Sequence, residues 1–335
     1  MNLTIGNRLV GDGEPCFIVA EIGENYVGNP DVACALIKAA AESGADGVKI
    51  QTITAEELYN PSSPGYARRK QNEMDLAHFP QLVEAAQEHN IILFSTPFDE
   101  LSADFLDGMS MPVFKIGSGE LTHHSFLRHV AQKGKPIVVS TGMAEQSWID
   151  TAIEVVTETG NNQVIVTHCV SSYPAGVELA NVNAIPALRE RLGILTGYSD
   201  HTMTSAAAFA SVALGSCYLE KHFTLSRTYP GADNSMSAEP GEFQAMVAGI
   251  REVEAALGKK ERTVLPAEEF LIPLARRGIY ARRDINSGER LEASMLAVRR
   301  PLSAIPANDM DAVIGKVAAQ NIPAEEGLTW EQISA

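Results

Sequence analysis

The chain has 335 residues, 45% of them hydrophobic and 20% charged, so it is long enough to fold around its own core without disulfides or a structural metal. At roughly 150 residues per domain, about two domains are expected. With 26 basic and 42 acidic side chains the formal charge is −16, which excludes nucleic acid and an anionic membrane surface as natural partners, because both need a basic face. The N-terminal MNLTIGNRLVG has neither the basic nor the apolar region of a secretory signal. The longest apolar stretch, around Ala206 to Leu214, is too short to span a bilayer. Cys16, Cys34, Cys169 and Cys217 lie far apart in apolar surroundings and read as small buried hydrophobes, not as a disulfide framework or a zinc site. A cytoplasmic protein is expected.

Short β-branched runs recur along the chain, each followed by a turn and a segment with helical spacing. FIVAEIG (17–23) leads into DVACALIKAAAESG (31–44), apolar at i, i+3, i+4 and i+7 and closed by a glycine. GVKIQT (47–52) follows. The gap 53–91 then exceeds a normal connection and carries the polar NPSSPGYARRKQNEM, which suits an inserted active-site loop, before a helix at FPQLVEAAQEHN (79–90). The remaining strands are ILFSTPF (92–98), VFKIGSG (113–119), PIVVSTG (136–142), VIVTHCV (164–170), ILTGYSD (194–200) and YLEKHF (218–223), with a last helix at FQAMVAGIREVEAALG (243–258). Eight βα units, joined by right-handed crossovers, predict a (β/α)₈ TIM barrel over residues 1–262; a doubly wound open sheet is the alternative. Residues 263–276, with Pro266 and Pro273, read as a linker, and 277–335 as a small β-rich domain. Residues 270–335 hold 8 basic and 8 acidic side chains, so the whole −16 falls on the barrel. Within 276–300, seven arginines face Asp284, Glu289 and Glu292, a local charge of +4 that suits either docking on an acidic barrel or a solvated face.

Barrels of this kind carry their chemistry at the C-terminal ends of the strands. Those ends present Glu21, Lys49, Gln51, Thr96, Lys115, Ser118, Glu120, Ser140, His168, Ser171, Tyr173, Asp200, His201 and His222. Lys49, Lys115, Thr96, Ser118 and Ser140, with the glycines of GSG (117–119) and STG (140–142), suit a phosphate and a carboxylate in one pocket. His201 and His222 close the seventh and eighth runs and together suit one borderline divalent ion. His123, His124 and His129 fall on a helix and read as surface residues. Two lysines at strand ends also permit a Schiff-base aldolase.

AEIGENYVGN (20–29), VKIQT (48–52), FSTPFD (94–99), KIGSGE (115–120), STGM (140–143), HCVSSYP (168–174), YSDHT (198–202) and EKHFT (220–224) together resemble the sialic acid synthase family. The tail YARRDINSGERL…RRP…IGKVAAQNIPAEEGL is similar to that family's antifreeze-like (SAF) domain. The resemblance implies condensation of phosphoenolpyruvate with N-acetylmannosamine or a related 2-acetamido aldose, a divalent metal, usually Mn²⁺ with Mg²⁺ or Co²⁺ as alternatives, and a domain-swapped homodimer. It implies that Lys49, Lys115, Ser118, Ser140 and Thr96 hold phosphoenolpyruvate, with Lys115 also steadying the charged intermediate, and that His201 and His222 bind the metal. Glu21, Gln51, Tyr173 and Asp233 would contact sugar hydroxyls, Glu21 or Asp233 would transfer protons, and Glu120 would lie near the water that adds to C2. Arg300 in VRRP would reach the sugar's N-acyl group from a second copy of the chain. Two departures bear on the choice of aldose: Leu302-Ser303-Ala304 replaces a glycine-containing turn, and Ser171 stands where sialic acid synthases often carry Asn.

Overall fold

The computed structural model describes residues 1–334, in two compact units, Met1–Gly258 and the chain from Lys259 onward. The first unit opens with a hairpin, β1 (Asn2–Ile5) against β2 (Arg8–Gly11), turning at Gly6-Asn7. Eight parallel strands follow: β3 (Phe17–Gly23), β4 (Gly47–Thr52), β5 (Ile92–Pro97), β6 (Phe114–Ile116), β7 (Ile137–Ser140), β8 (Val164–Cys169), β9 (Leu195–Asp200) and β10 (Tyr218–His222). They pair in chain order, and β10 pairs back onto β3 to close the barrel.

Ten helices cover the outside and the rim: α1 (Pro30–Glu42), α2 (Ala55–Leu58), α3 (Tyr66–Asn72), α4 (Phe79–Glu88), α5 (Glu100–Gly108), α6 (His124–Ala131), α7 (Gln146–Thr157), α8 (Ala184–Leu192), α9 (Ala206–Ala213) and α10 (Pro240–Leu257). Local chemistry sets their ends. At α1 the Asn29 side chain accepts from the N–H groups of Asp31 and Val32, Pro30 occupies the first turn, and Gly44 follows the last turn at φ +83°. Ala33, Leu36, Ile37 and Ala40 form its buried stripe.

Strand parity decides what the barrel holds, since alternate residues face inward. The inward rows begin apolar: Phe17, Val19, Phe94, Val113, Val138, Ile165, Leu195 and Tyr218 form one cluster at the base. Leu3, Ile5 and Val10 of the hairpin join that cluster and plug the bottom of the barrel. Two or four residues further along the same rows come Glu21, Lys49, Thr96, Lys115, Ser140, Glu220 and His222, all buried. An apolar floor therefore passes directly into a polar rim.

The second unit contains α11 (Pro266–Glu269), α12 (Ile272–Ala275), the antiparallel pair β11 (Gly278–Ala281) and β12 (Leu296–Arg299), and the pair β13 (Val317–Ala318) and β14 (Ile333–Ser334). It has its own core, including Ile279, Ile285, Leu291, Leu296, Ile305 and Leu328. Among the described residues, no helix is long and apolar enough to cross a membrane.

Candidate active site

A cavity of about 530 Å³ opens at the C-terminal end of the barrel. Of the residues singled out in the sequence, Glu21, Lys49, Gln51, Thr96, Lys115, Ser118, Ser140, Ser171, Tyr173, His201, His222 and Asp233 line it. Glu120 does not: its carboxylate lies 3.5 Å from His123 Nδ1 on the short turn after β6, so the expected place beside the reacting centre is not observed. Arg300 follows β12 in the second unit and is exposed there. His168 and Asp200 fall on the outward parity of β8 and β9. His168 contacts the Ala180 carbonyl at 2.8 Å and stacks on Tyr198, and Asp200 is ion-paired to Lys221 at 2.7 Å.

On one side of the cavity the Lys49 ammonium contacts Glu21, donates 2.8 Å to Thr96 Oγ1, and lies 3.7 Å from Glu220. Burial works against that charge, but Glu21 and Glu220 keep the lysine protonated. The Lys115 ammonium donates to Ser140 Oγ and, at 3.2 Å, to the Ile116 carbonyl; burial lowers its pKa. Glu220 lies between these cations. Although burial favours its neutral form, Lys115 and Lys49 hold it down to about 2, and Tyr218 donates 2.8 Å to it from below. Burial raises Glu21 to about 7 against the pull of Lys49. The floor thus presents two fixed cations with hydroxyls beside them, a local arrangement that an anionic ligand fits even in an acidic protein.

Beside Lys115 the loops after β6, β7 and β8 crowd together. Gly142 N donates 2.9 Å to Ser118 Oγ, and a Cβ on Gly142 would come within 2.2 Å of Ser171 Oγ and 2.8 Å of Ser118 Oγ. Ser171 Oγ is buried without a hydrogen-bond partner. On the opposite wall Glu21, Gln51 and Asp233 converge over Gly23, whose Cβ position is 2.9, 3.4 and 3.6 Å from their polar atoms. Gln51 Nε2 donates 3.2 Å to Glu21 Oε1.

The His201 and His222 rings have centroids 5.3 Å apart, with Tyr173 over them at 4.2 and 6.0 Å. His201 Nδ1 lies 2.7 Å from the Val170 carbonyl, which makes it the donor nitrogen and leaves Nε2 with a lone pair. His222 Nδ1 is buried without a hydrogen-bond partner. Burial, with His201 alongside, pushes His222 down to about 4 against the Asp233 carboxylate, so the ring is neutral at pH 7. Two imidazoles side by side suit an open divalent site that keeps positions for water and substrate. Burial lowers the pKa of His201, but the Cys169 thiol and the Val170 carbonyl raise it overall, so a metal would there displace a proton. Among the described residues, no group of three or more His, Cys, Asp or Glu side chains is placed to hold a metal.

Among the cavity-lining groups that escaped sequence reasoning are Glu220, Cys169 and Arg69. Glu220 was recoverable, because it lies two residues before His222 and period 2 puts both on one face. Cys169 is buried as expected, but it faces inward, with Sγ 3.9 Å from His201 Nδ1. Arg69 reaches the rim from α3, in the inserted segment, where no periodicity marks a direction.

Comparison with known proteins fits this geometry. The NeuB family profile matches residues 36–262 and the SAF domain profile matches 276–334. An N,N'-diacetyllegionaminic acid synthase of Legionella pneumophila is 35% identical over 97% of this chain and 96% of its own length. The human N-acetylneuraminate-9-phosphate synthase is 32% identical over 97% and 95%. The crystal structure of an N-acetylneuraminic acid (sialic acid) synthetase from Leptospira borgpetersenii, 32% identical, superposes with a TM-score of 0.78, covering 81% of this chain and 95% of that one.

Proposed function

Because the chain belongs to the NeuB family, we propose that it condenses phosphoenolpyruvate with the open-chain aldehyde of N-acetylmannosamine and water, giving N-acetylneuraminic acid and phosphate. The observation that carries this reading is one cavity in which the Lys49 and Lys115 ammonium groups face the rim while the His201 and His222 imidazoles lie beside them.

Lys115, Ser140, Ser118 and Ser171 take the phosphate side of the enol ester, and Lys49 with Thr96 takes its carboxylate. That clamp aims C3 of the enol at the aldehyde carbon. A divalent cation, Mn²⁺ first and Mg²⁺ or Co²⁺ next, would be held by His201 and His222 and would supply Lewis-acid polarisation of the aldehyde. Gln51, Tyr173 and Asp233 hold the sugar hydroxyls, and the raised pKa of Glu21 lets it exchange a proton near neutrality. The C3–C1 bond forms, the aldehyde oxygen gains a proton, and water adds at C2 as it loses one. The C2–O bond to the phosphate group then breaks, the C2 hydroxyl gives its proton to the departing phosphate, and the C2 carbonyl forms. The two fixed ammonium groups favour the anionic tetrahedral intermediate, since they are already oriented before charge develops.

In the same reading the working form is a homodimer in which Arg300 meets the acceptor's N-acyl group from a second copy, and the setting is the cytoplasm, in keeping with four unpaired thiols. A second acceptor, a 2,4-diacetamido-trideoxy hexose giving legionaminic or pseudaminic acid, is favoured by the likeness to the Legionella synthase and by Ser171. Phosphate release from phosphoenolpyruvate with each aldose, followed by mass determination of the acid formed, tests both. Release with neither aldose would overturn the reading.

A further inference from the structure

Arg69 is the third cation of the cavity, and nothing in the condensation described above uses it. It projects from α3, and its guanidinium contacts the Glu24 carboxylate on the loop after β3. Glu24 is itself buried, at 6% exposure, so the pair is largely withdrawn from water. Tyr59 lies under the guanidinium with its ring centre 6.0 Å from Cζ. Two Arg69 nitrogens, Nε and Nη1, are buried with no hydrogen-bond partner, Nη1 being the one in ion contact with Glu24. Buried donors left without acceptors are a costly arrangement, and it is relieved when the side chain turns toward an acceptor brought into the cavity that it lines.

Its place says which ligand. Glu24 follows Gly23 in the chain, and Gly23 is the point over which Glu21, Gln51 and Asp233 converge. Lys115 and Ser140, in contrast, stand on β6 and β7, several strands further round the barrel. Arg69 therefore belongs to the acceptor wall and not to the side that takes the phosphate of the enol ester. On that wall the formal charges of Arg69, Glu24 and Asp233 sum to +1 − 1 − 1 = −1, and Lys49 is already engaged by Glu21. A guanidinium whose charge is cancelled by a buried carboxylate still donates hydrogen bonds, but it offers little net attraction to a phosphate dianion.

We propose that the Glu24–Arg69 pair selects the acceptor: Arg69 donates to a neutral hydroxyl or amide oxygen at the sugar end remote from the aldehyde, and the pair excludes an aldose phosphorylated there. This rests on the condensation proposed above and narrows it to non-phosphorylated aldoses, which separates this chain from a relative whose product is a 9-phosphate.

The test compares N-acetylmannosamine, a 2,4-diacetamido-trideoxy hexose and N-acetylmannosamine 6-phosphate as acceptors, with phosphate release and product mass as readouts. Wild type is expected to favour a neutral acceptor over the 6-phosphate by at least 100-fold in kcat/KM. Glu24→Gln frees the guanidinium charge and narrows that ratio at least tenfold. Arg69→Gln raises KM for the neutral acceptor about tenfold while KM for phosphoenolpyruvate stays within error; the melting temperature falls as well, because Glu24 is left buried without its partner. Equal use of the two classes by wild type overturns the proposal without needing any variant, as does an Arg69→Gln protein with unchanged acceptor KM. Turnover with none of the three acceptors instead overturns the condensation itself, so the two failures are distinguishable.

Discussion

Lys221 and Asp200 form a buried ion pair on the outer face of the wall whose inner face carries the two imidazoles. The ammonium donates 2.7 Å to Asp200 Oδ2 and 2.6 Å to the Thr202 carbonyl, while Thr202 N donates 2.8 Å to Asp200 Oδ1. Asp200 precedes His201 and Lys221 precedes His222, so this pair ties together the backbones that set the 5.3 Å spacing of the rings. Removing one partner leaves a buried charge uncompensated.

Lys221→Met is accordingly expected to cost about 3–5 kcal/mol of barrel stability. The double variant Lys221→Met/Asp200→Leu should recover at least half of that, because no charge is then left buried alone. Urea unfolding followed by Trp148 fluorescence in a Trp330→Phe background reports on the barrel unit. A single variant within error of wild type removes the pair from the account of ring spacing.

Chelation with EDTA should abolish phosphate release, and Mn²⁺ should restore it. His222→Ala should lose Mn²⁺ binding, read by calorimetric titration, together with turnover. Full activity in chelator removes the metal role and returns the Schiff-base reading, which borohydride trapping with the keto acid product would then reveal.

Glu21 gives a pH test with a definite sign. Its carboxyl sits at about 7 in the folded chain, against 4.5 as the ordinary value. A raised pKa stabilises the fold while the proton is bound; that contribution is complete below pH 4.5 and is lost as pH rises through about 7. Glu21→Gln lacks the titration. The stability of wild type minus that of the variant should therefore fall from pH 5 to pH 7.5, by about 1–3 kcal/mol. A difference that is flat or rises over this window means that Lys49 keeps Glu21 ionised throughout.

Much of this site was visible before any coordinates, and the reason is periodicity. In YLEKHF the two-residue repeat sends Tyr218, Glu220 and His222 to one face, and it sends Lys221 to the other. The same rule explains why His168 and Asp200, both at strand ends, belong to the outside. It cannot reach groups whose direction a loop decides. Arg69 lies in the inserted segment, Glu120 on a turn, and each could face either way until packing settles it. The N-terminal hairpin does have a local signal, since Gly6-Asn7 between alternating residues of MNLTIGNRLVG is a two-residue turn, but a hairpin outside the βα repeat has no place in the periodicity that marks the barrel. The approach of Ser171 to Gly142 joins the loops after β7 and β8, so no local pattern contains it.

That approach carries the last prediction. A methyl group at Gly142 would meet Ser171 Oγ at 2.2 Å, Ser118 Oγ at 2.8 Å and Cys169 Sγ at 3.2 Å, on what the proposed reading makes the phosphate side. Gly142 has an ordinary negative φ, so the cost of Gly142→Ala is displacement of these neighbours and not backbone strain. Steady-state kinetics should show kcat/KM for phosphoenolpyruvate falling at least tenfold while KM for the acceptor is unchanged, since the acceptor wall lies across the cavity. Ser171→Ala in the same background removes the closest clash and should return part of the loss. An acceptor KM that rises in step with that for phosphoenolpyruvate would place Ser171 on the sugar and reverse the two sides of the site.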